Sequence, residues 1–302
     1  MIPAPRPLMR ASLAVLALSV VLLAGCGGQG SPLSPAVTTP GELAPGTDLA
    51  ATIESESDDA DEVPSWATPI HGPTIIDAPG VYKVVKDIGA DPATGVAITI
   101  RASGVLLSLG GHTLTGPGNK QGRAIVIENA RHVRVANGRI ERFGVGVEMN
   151  GVEKSAVRGL WIRGGDETAD PANGNPPQIG VMLVNSAFNR VARVEARGVN
   201  LGLFIRGEGS YSNVLRRNTV VAGDHGLLAI CYNPAAGAGQ AGPQRDLVER
   251  NRLSRFGIGI QTSAGSQNNV FRRNVIDYFV APYEDLNGTN VFRDNVTQQL
   301  TR

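Results

Sequence analysis

The chain has 302 residues, 28 of them Lys or Arg and 27 Asp or Glu, for a formal net charge of +1, with two cysteines and 5% aromatic residues. Two cysteines exclude a disulfide framework, so the fold must stand on its core and its backbone hydrogen bonds. The near-neutral total hides an uneven distribution: residues 27–65 carry eight acidic residues and no Lys or Arg, which leaves residues 66–302 at about +7 and suited to an acidic partner.

In chain order, the first element is a targeting segment. Arg6 and Arg10 precede the apolar run 11–24, which is too short and wrongly flanked for a lasting transmembrane helix. The run ends in Leu23-Ala24-Gly25-Cys26, which resembles the lipobox of bacterial lipoproteins. The resemblance implies a signal peptide over 1–25, cleavage before Cys26 and a diacylglycerol on its thiol, which makes the lipid bilayer a partner through the Cys26 anchor. By the same analogy Gly27, standing where an Asp would imply inner-membrane retention, favours the outer membrane or the cell surface. Residues 26–65 then read as the lipidated Cys and a disordered Pro/Ser/Thr-rich tether, whose acidic cluster from Glu54 to Glu62 stays solvated. With Cys26 lipidated, Cys231 has no partner within the chain and reads as a small buried hydrophobe.

From about residue 94 the chain repeats. Gly followed by alternating apolar residues occurs at Gly144, Gly180, Gly202, Gly226 and Gly257. An Asn four residues after a Val or Leu recurs at Asn137, Asn218, Asn251, Asn274 and Asn295, and in that frame Trp161 and Glu195 occupy the coils that lack the Asn. The positions 137, 161, 195, 218, 251, 274 and 295 differ by 24, 34, 23, 33, 23 and 21, so the unit is 21–24 residues and two coils carry roughly ten more. A period of this size is a solenoid signature, and Val- and Ile-rich runs alternating at period two between Gly and Asn describe strands and turns rather than helices. The prediction is an all-β, single-stranded parallel β-helix of about eight coils, with Asn at a recurring corner that tolerates the left-handed region.

The opening coils sharpen this. Val105-Leu-Leu-Ser-Leu-Gly-Gly-His-Thr-Leu-Thr-Gly116 and Val133-Arg-Val-Ala-Asn-Gly-Arg-Ile-Glu-Arg-Phe-Gly144 resemble the opening of right-handed parallel β-helix repeat proteins of the pectin-lyase-like superfamily, over roughly residues 73–295. The resemblance implies the fold and leaves the activity open, since this fold carries many. The expected organisation is an N-terminal cap over 66–93 and the β-helix over 94–302. An uncovered last coil near 281–296 would be an edge available to a protein partner or to self-association.

Alternation along each Gly-led strand places the second and fourth residues after the Gly on the outside. The expected outward set is Gly146/Glu148, Met182/Val184, Phe204/Arg206, Leu228/Ile230 and Gly259/Gln261, with an apolar patch across the three middle coils beside the insertions 165–178 and 232–244. Arg216, Arg217, Arg250, Arg272, Arg273 and Arg293 lie just before the Asn corner and could stack into a basic stripe, partly neutralised by Glu249 and Asp294. Guanidinium groups pair carboxylates bidentately, so a uronate or sulfated glycan is the ligand class this stripe suits. Arg206, Arg217, Arg250 and Arg273, with Phe204, Met182 and Leu228, are the ligand-binding candidates.

Asp224-His225 next to the second insertion is the one acid/base pair, and the candidate for catalysis if any occurs. The motifs of pectate lyases, polygalacturonases, alginate epimerases and pectin methylesterases are absent, and His71, His112, His132 and His225 are too scattered to form a metal site, so no metal and no cofactor is expected. An exported chain with few patterned aromatics is not expected to bind nucleic acid. Three readings remain open at this point: polysaccharide recognition without catalysis; a polysaccharide lyase, hydrolase or epimerase; and a structural lipoprotein that grips another protein.

Overall fold

The structure, a computed structural model, describes residues 64–118, 121–164, 178–223, 226–233, 241–286 and 288–301. Among the described residues every regular element is a β-strand and every pairing is parallel, each strand bonding to its equivalents in the coil before and the coil after. The chain winds as a β-solenoid of about eight turns. The segment expected as a cap is already solenoid: Thr74–Ile76 pairs with Val96–Ile100, and Gly80–Val84 with Val105–Ser108.

Each coil has three faces. The first carries Arg123–Glu128, Val145–Asn150, Ile179–Val184, Leu201–Arg206 and Leu228–Asn233, then the later halves of Arg252–Thr262 and Val275–Asp285. The second carries the three-residue strands Arg190–Ala192, Val214–Arg216, Leu247–Glu249, Val270–Arg272 and Val291–Arg293. The third carries Glu195–Val199, Thr219–Ala222, the early halves of Arg252–Thr262 and Val275–Asp285, and Val296–Gln299. Inward columns of branched side chains fill the axis: Val147, Val181, Leu203, Ile230 and Ile260 from the first face, Val157, Val191, Leu215, Val248 and Phe271 from the second, Ile162, Ala196, Val220, Leu253 and Ile276 from the third.

Strands of three residues leave the second face dominated by its turns, whose buried N–H groups need partners. Two side-chain ladders supply them. On one flank the backbone N–H of Ser155, Asn189, Asn213, Asp246 and Asn269 donates to the side-chain oxygen of Asn189, Asn213, Asp246, Asn269 and Asn290 respectively, at 2.7–3.1 Å. On the other flank Val194, Asn218, Asn251 and Asn274 donate in the same way to Asn218, Asn251, Asn274 and Asn295, at 2.9–3.0 Å. The Nδ2 groups of Asn218, Asn251, Asn274 and Asn295 turn back onto the carbonyls of Val191, Leu215, Val248 and Phe271.

Two register assignments made from the repeat are corrected. The residues equivalent to Asn218 in the earlier coils are Val194, Leu160 and Gly138, each one position from Glu195, Trp161 and Asn137, because the ladder position turns inward and takes an apolar residue where it is not Asn. On the first face the aligned small residues are Gly146, Gly180, Gly202, Ala229 and Gly259 rather than the Gly144 and Gly226 to Gly257 frame. These glycines face the core: a Cβ on Gly202 would lie 2.3 Å from Val220 Cγ1, and one on Gly259 2.3 Å from Ile276 Cγ2. Gly146, Gly259 and Ile230 are therefore inward, and Cys231 takes the outward place that Ile230 was expected to hold.

Asp246 is the one carboxylate in its ladder. Its Oδ1 accepts from the N–H and Nδ2 of Asn213, but its Oδ2 stands where neighbouring rungs carry an NH₂ and lacks a hydrogen bond. Burial, opposed by the contacts from Asn213 and from the hydroxyl of Tyr232, pushes its carboxyl up to about 7. An unfolded Asp titrates near about 3.9, so between roughly pH 4 and pH 7 the folded state binds the extra proton, and this contribution to stability is complete at low pH and lost as pH rises through that window. Asp246→Asn restores the missing donor and is expected to raise stability by about 1–3 kcal/mol at about pH 8, and by less at about pH 5. Denaturant unfolding at both pH values checks this; a gain over wild type that does not grow with pH would sink it.

Candidate functional site

On the first face the outward side chains form two columns. One holds Val145, Ile179, Leu201, Leu228, Ile258 and Ala281, the other Glu148, Met182, Phe204, Cys231, Gln261 and Glu284. Their middle members pack into an apolar cluster separate from the axial core. Phe204 and Cys231 are each 2% exposed and Leu228 3%, so the expected apolar patch exists with Cys231 in place of Ile230, but it is buried rather than open. Residues 165–177 and 234–240 of the flanking insertions, like Asp224 and His225, lie outside the described residues. Cys231 is a buried thiol.

The described acids on this face fall at its two ends: Glu128 lies one coil below Glu148 and helps to raise its carboxyl, and Asp285 follows Glu284. Glu148 is buried and ion-paired with Arg123; burial lifts its carboxyl above the ordinary range while Arg123 opposes the shift. Glu284 occupies the same column but is five coils removed, roughly 24 Å along the axis. It is taken up by Gln261, which donates to it at 2.6 Å. General acid–base cleavage needs paired groups within reach of one bond; here Glu128 is ion-paired with Arg101 and Glu148 with Arg123. Among the described residues no group of three His, Cys, Asp or Glu side chains converges as a metal site.

The arginines divide into two sets. Arg193, Arg217, Arg250 and Arg273 hold the left-handed position just before the ladder residue, with φ of 53–55°, and their side chains are exposed. Backbone bonds from their N–H groups to the carbonyls of Arg216, Glu249, Arg272 and Arg293 in the next coil stack them into one column at the corner between the second and third faces. Among the described residues no acid pairs with Arg217, Arg250 or Arg273. Asp294 continues the column at its upper end. Arg193 was missed because Val194, not Asn, follows it.

The second set points out from the second face and is neutralised. Glu249, 2% exposed, sits between Arg216 and Arg272, with Arg272 Nε 2.9 Å from one carboxylate oxygen and Arg216 Nε 3.7 Å from the other. Arg206 lies on the first face beside Val184 and Asn233, half-buried and engaged with a partner, and so stands apart from the corner column. The ligand-binding candidates thus fall on two surfaces: Met182, Phe204, Leu228 and Arg206 on the first face, Arg217, Arg250 and Arg273 at the corner. The corner can bind anions repeating along the axis.

The strands Val291–Arg293 and Val296–Gln299 of the last coil are largely exposed, with Val280 54%, Leu286 57%, Val291 46% and Val296 63% exposed, above an aromatic stack of Phe271, Phe292 and Tyr283.

No family model and no curated relative matches this chain. Solved structures do. The Dettilon tailspike protein shares 13% identity at a TM-score of 0.51, over 76% of this chain and 54% of its own. A tailspike of E. coli bacteriophage HK620, in complex with a pentasaccharide, shares 11% at 0.50, over 73% of this chain and 51% of its own. An exopolygalacturonase from Thermotoga maritima shares 9% at 0.49, over 74% and 67%. The chain spans about half the length of these tailspikes. The likeness to the tailspikes is one of fold: this chain is a β-solenoid of stacked parallel coils.

The Arg216–Glu249–Arg272 group supports the corner column from beneath. Removing its carboxylate leaves two guanidinium groups in a poorly hydrated place, so Glu249→Ala is expected to destabilise the fold by about 3 kcal/mol, and Glu249→Gln by less. Thermal or urea unfolding would measure it; an Ala variant as stable as wild type would show the group to be solvated.

Proposed function

We propose that this protein is an exported lipoprotein, anchored through Cys26 and held off the membrane by the acidic tether 26–65, whose β-helix recognises an acidic polysaccharide along the arginine corner. The observation that carries the reading is the column Arg193, Arg217, Arg250 and Arg273: exposed cations, one per coil, held in register by backbone bonds. The coil rise of about 4.8 Å is comparable to the advance of one sugar in an extended polysaccharide, so successive carboxylates or sulfates of one strand can meet successive guanidinium groups. Oligosaccharide binding by a tailspike of the same fold is consistent with this use of a β-helix surface. The carboxylates of the first face, each taken up by an arginine or amide partner, favour recognition over cleavage. A second reading, assembly with another protein, rests on the exposed valines and Leu286 of the last coil.

Calorimetric titration of the full chain with polygalacturonate and with its methyl ester is the test. Binding should favour the free acid and weaken with salt. The combined variant Arg217→Gln, Arg250→Gln, Arg273→Gln should lose at least about tenfold in affinity with an unchanged melting temperature. Equal binding of acid and ester, or an unaffected variant, would overturn the arginine reading. Binding by the last coil instead would appear as concentration-dependent association without any glycan.

A further inference from the structure

Below Arg193 the corner column changes character. The next residue down is Gly159, also left-handed at φ 58°, exposed and without a side chain. Two residues further along the same strand, Trp161 points outward from the third face, between the inward Leu160 and Ile162. Its register neighbours are Arg139 in the coil below and Glu195 in the coil above. Arg139 is exposed and has no acid partner among the described residues, whereas Glu195 is occupied by its ion pair with Arg197. The indole therefore lies partly buried on the sheet, with the exposed Gly159 and the Asn137 side chain beside it towards the corner and Arg139 in register beneath it.

We propose that Trp161 is the stacking platform on which one ring of an acidic oligosaccharide seats, at the lower end of the arginine column. A pyranose is amphipathic in the way an indole is: the C–H face packs on the aromatic surface, while hydroxyl and carboxylate groups at the rim look for donors. Arg139 supplies those donors to the seated ring, and the strand leaves along the axis past Gly159 towards Arg193, Arg217 and Arg250. The platform sets where the glycan begins on the column, and the arginines set its direction. This rests on the glycan reading above, and adds to it a defined first subsite and a uronate as the sugar that occupies it.

The chain has two tryptophans, Trp66 and Trp161, so a Trp66→Phe background leaves Trp161 as the single indole reporter. Titrating this full-length variant with oligogalacturonates should give a saturable change in indole emission, while the methyl-esterified oligomers should not. Trp161→Val, which keeps a strand-forming residue, should weaken binding about tenfold in calorimetry, and Trp161→Phe should restore most of the loss, both with the wild-type melting temperature. Full binding by Trp161→Val, still abolished by the arginine substitutions, would overturn the platform and leave the arginine column standing. No binding of oligogalacturonates to the wild type would overturn both.

Discussion

The structure depends on the pair of side-chain ladders that flank the second face. A strand of three residues contributes too few ladder bonds to hold a corner at either end, and both corners are buried, so their backbone groups must be satisfied from within. An amide one coil on, with its oxygen accepting and its NH₂ donating, does this without water. Along the ladder from Asn218 to Asn295 the residue before each rung adopts the left-handed region, which turns its side chain outwards. A requirement of folding thus generates a column of exposed side chains, one per coil, and in this chain one of those columns is arginine. The surface with the strongest claim to a ligand is a by-product of how the backbone closes its turns.

Much of this was legible before any coordinates. The 21–24-residue period, the Val/Leu-to-Asn spacing and the Arg before the Asn were enough for the coil, for one ladder and for most of the arginine column. The second ladder was equally present in the sequence, five residues earlier at Asn189, Asn213, Asp246, Asn269 and Asn290. It escaped because Ser155 and Asp246 break its identity, although each supplies the same acceptor oxygen. The first face was misread for another reason. Gly144 and Gly257 stand two residues before the aligned small residue and Gly226 stands three before it; a slip of two preserves the facing of later side chains, whereas a slip of three reverses it, which is why Ile230 and Cys231 exchanged places.

Burial of the outward apolar column could not be read from alternation at all. Alternation says which side of a sheet a residue faces, not whether that side meets water, and Phe204 faces away from the axis yet is as buried as the core. The same limit applies to Glu249: its place beside the arginines marked it as a partial counter-charge, but only its burial shows it to be the necessary partner of Arg216 and Arg272.

Recognition and catalysis place opposite demands on a stacked-coil surface. Cleaving one bond requires dissimilar groups to converge on one point, which a solenoid achieves only by departing from its own repeat. Binding a polymer requires similar groups to recur at the polymer's period, which the repeat provides without departure. On the described first face the acids are few and each is taken up by its own partner, whereas the corner repeats one cation through consecutive coils. The arginines cannot drift relative to one another, because each is hydrogen-bonded through its backbone to the coil above, so the cost of arranging them is met in folding rather than in binding. A polyanion with a matching advance meets a preorganised array, and affinity then rises with the number of its charged units until the column ends at Asp294 above and Gly159 below.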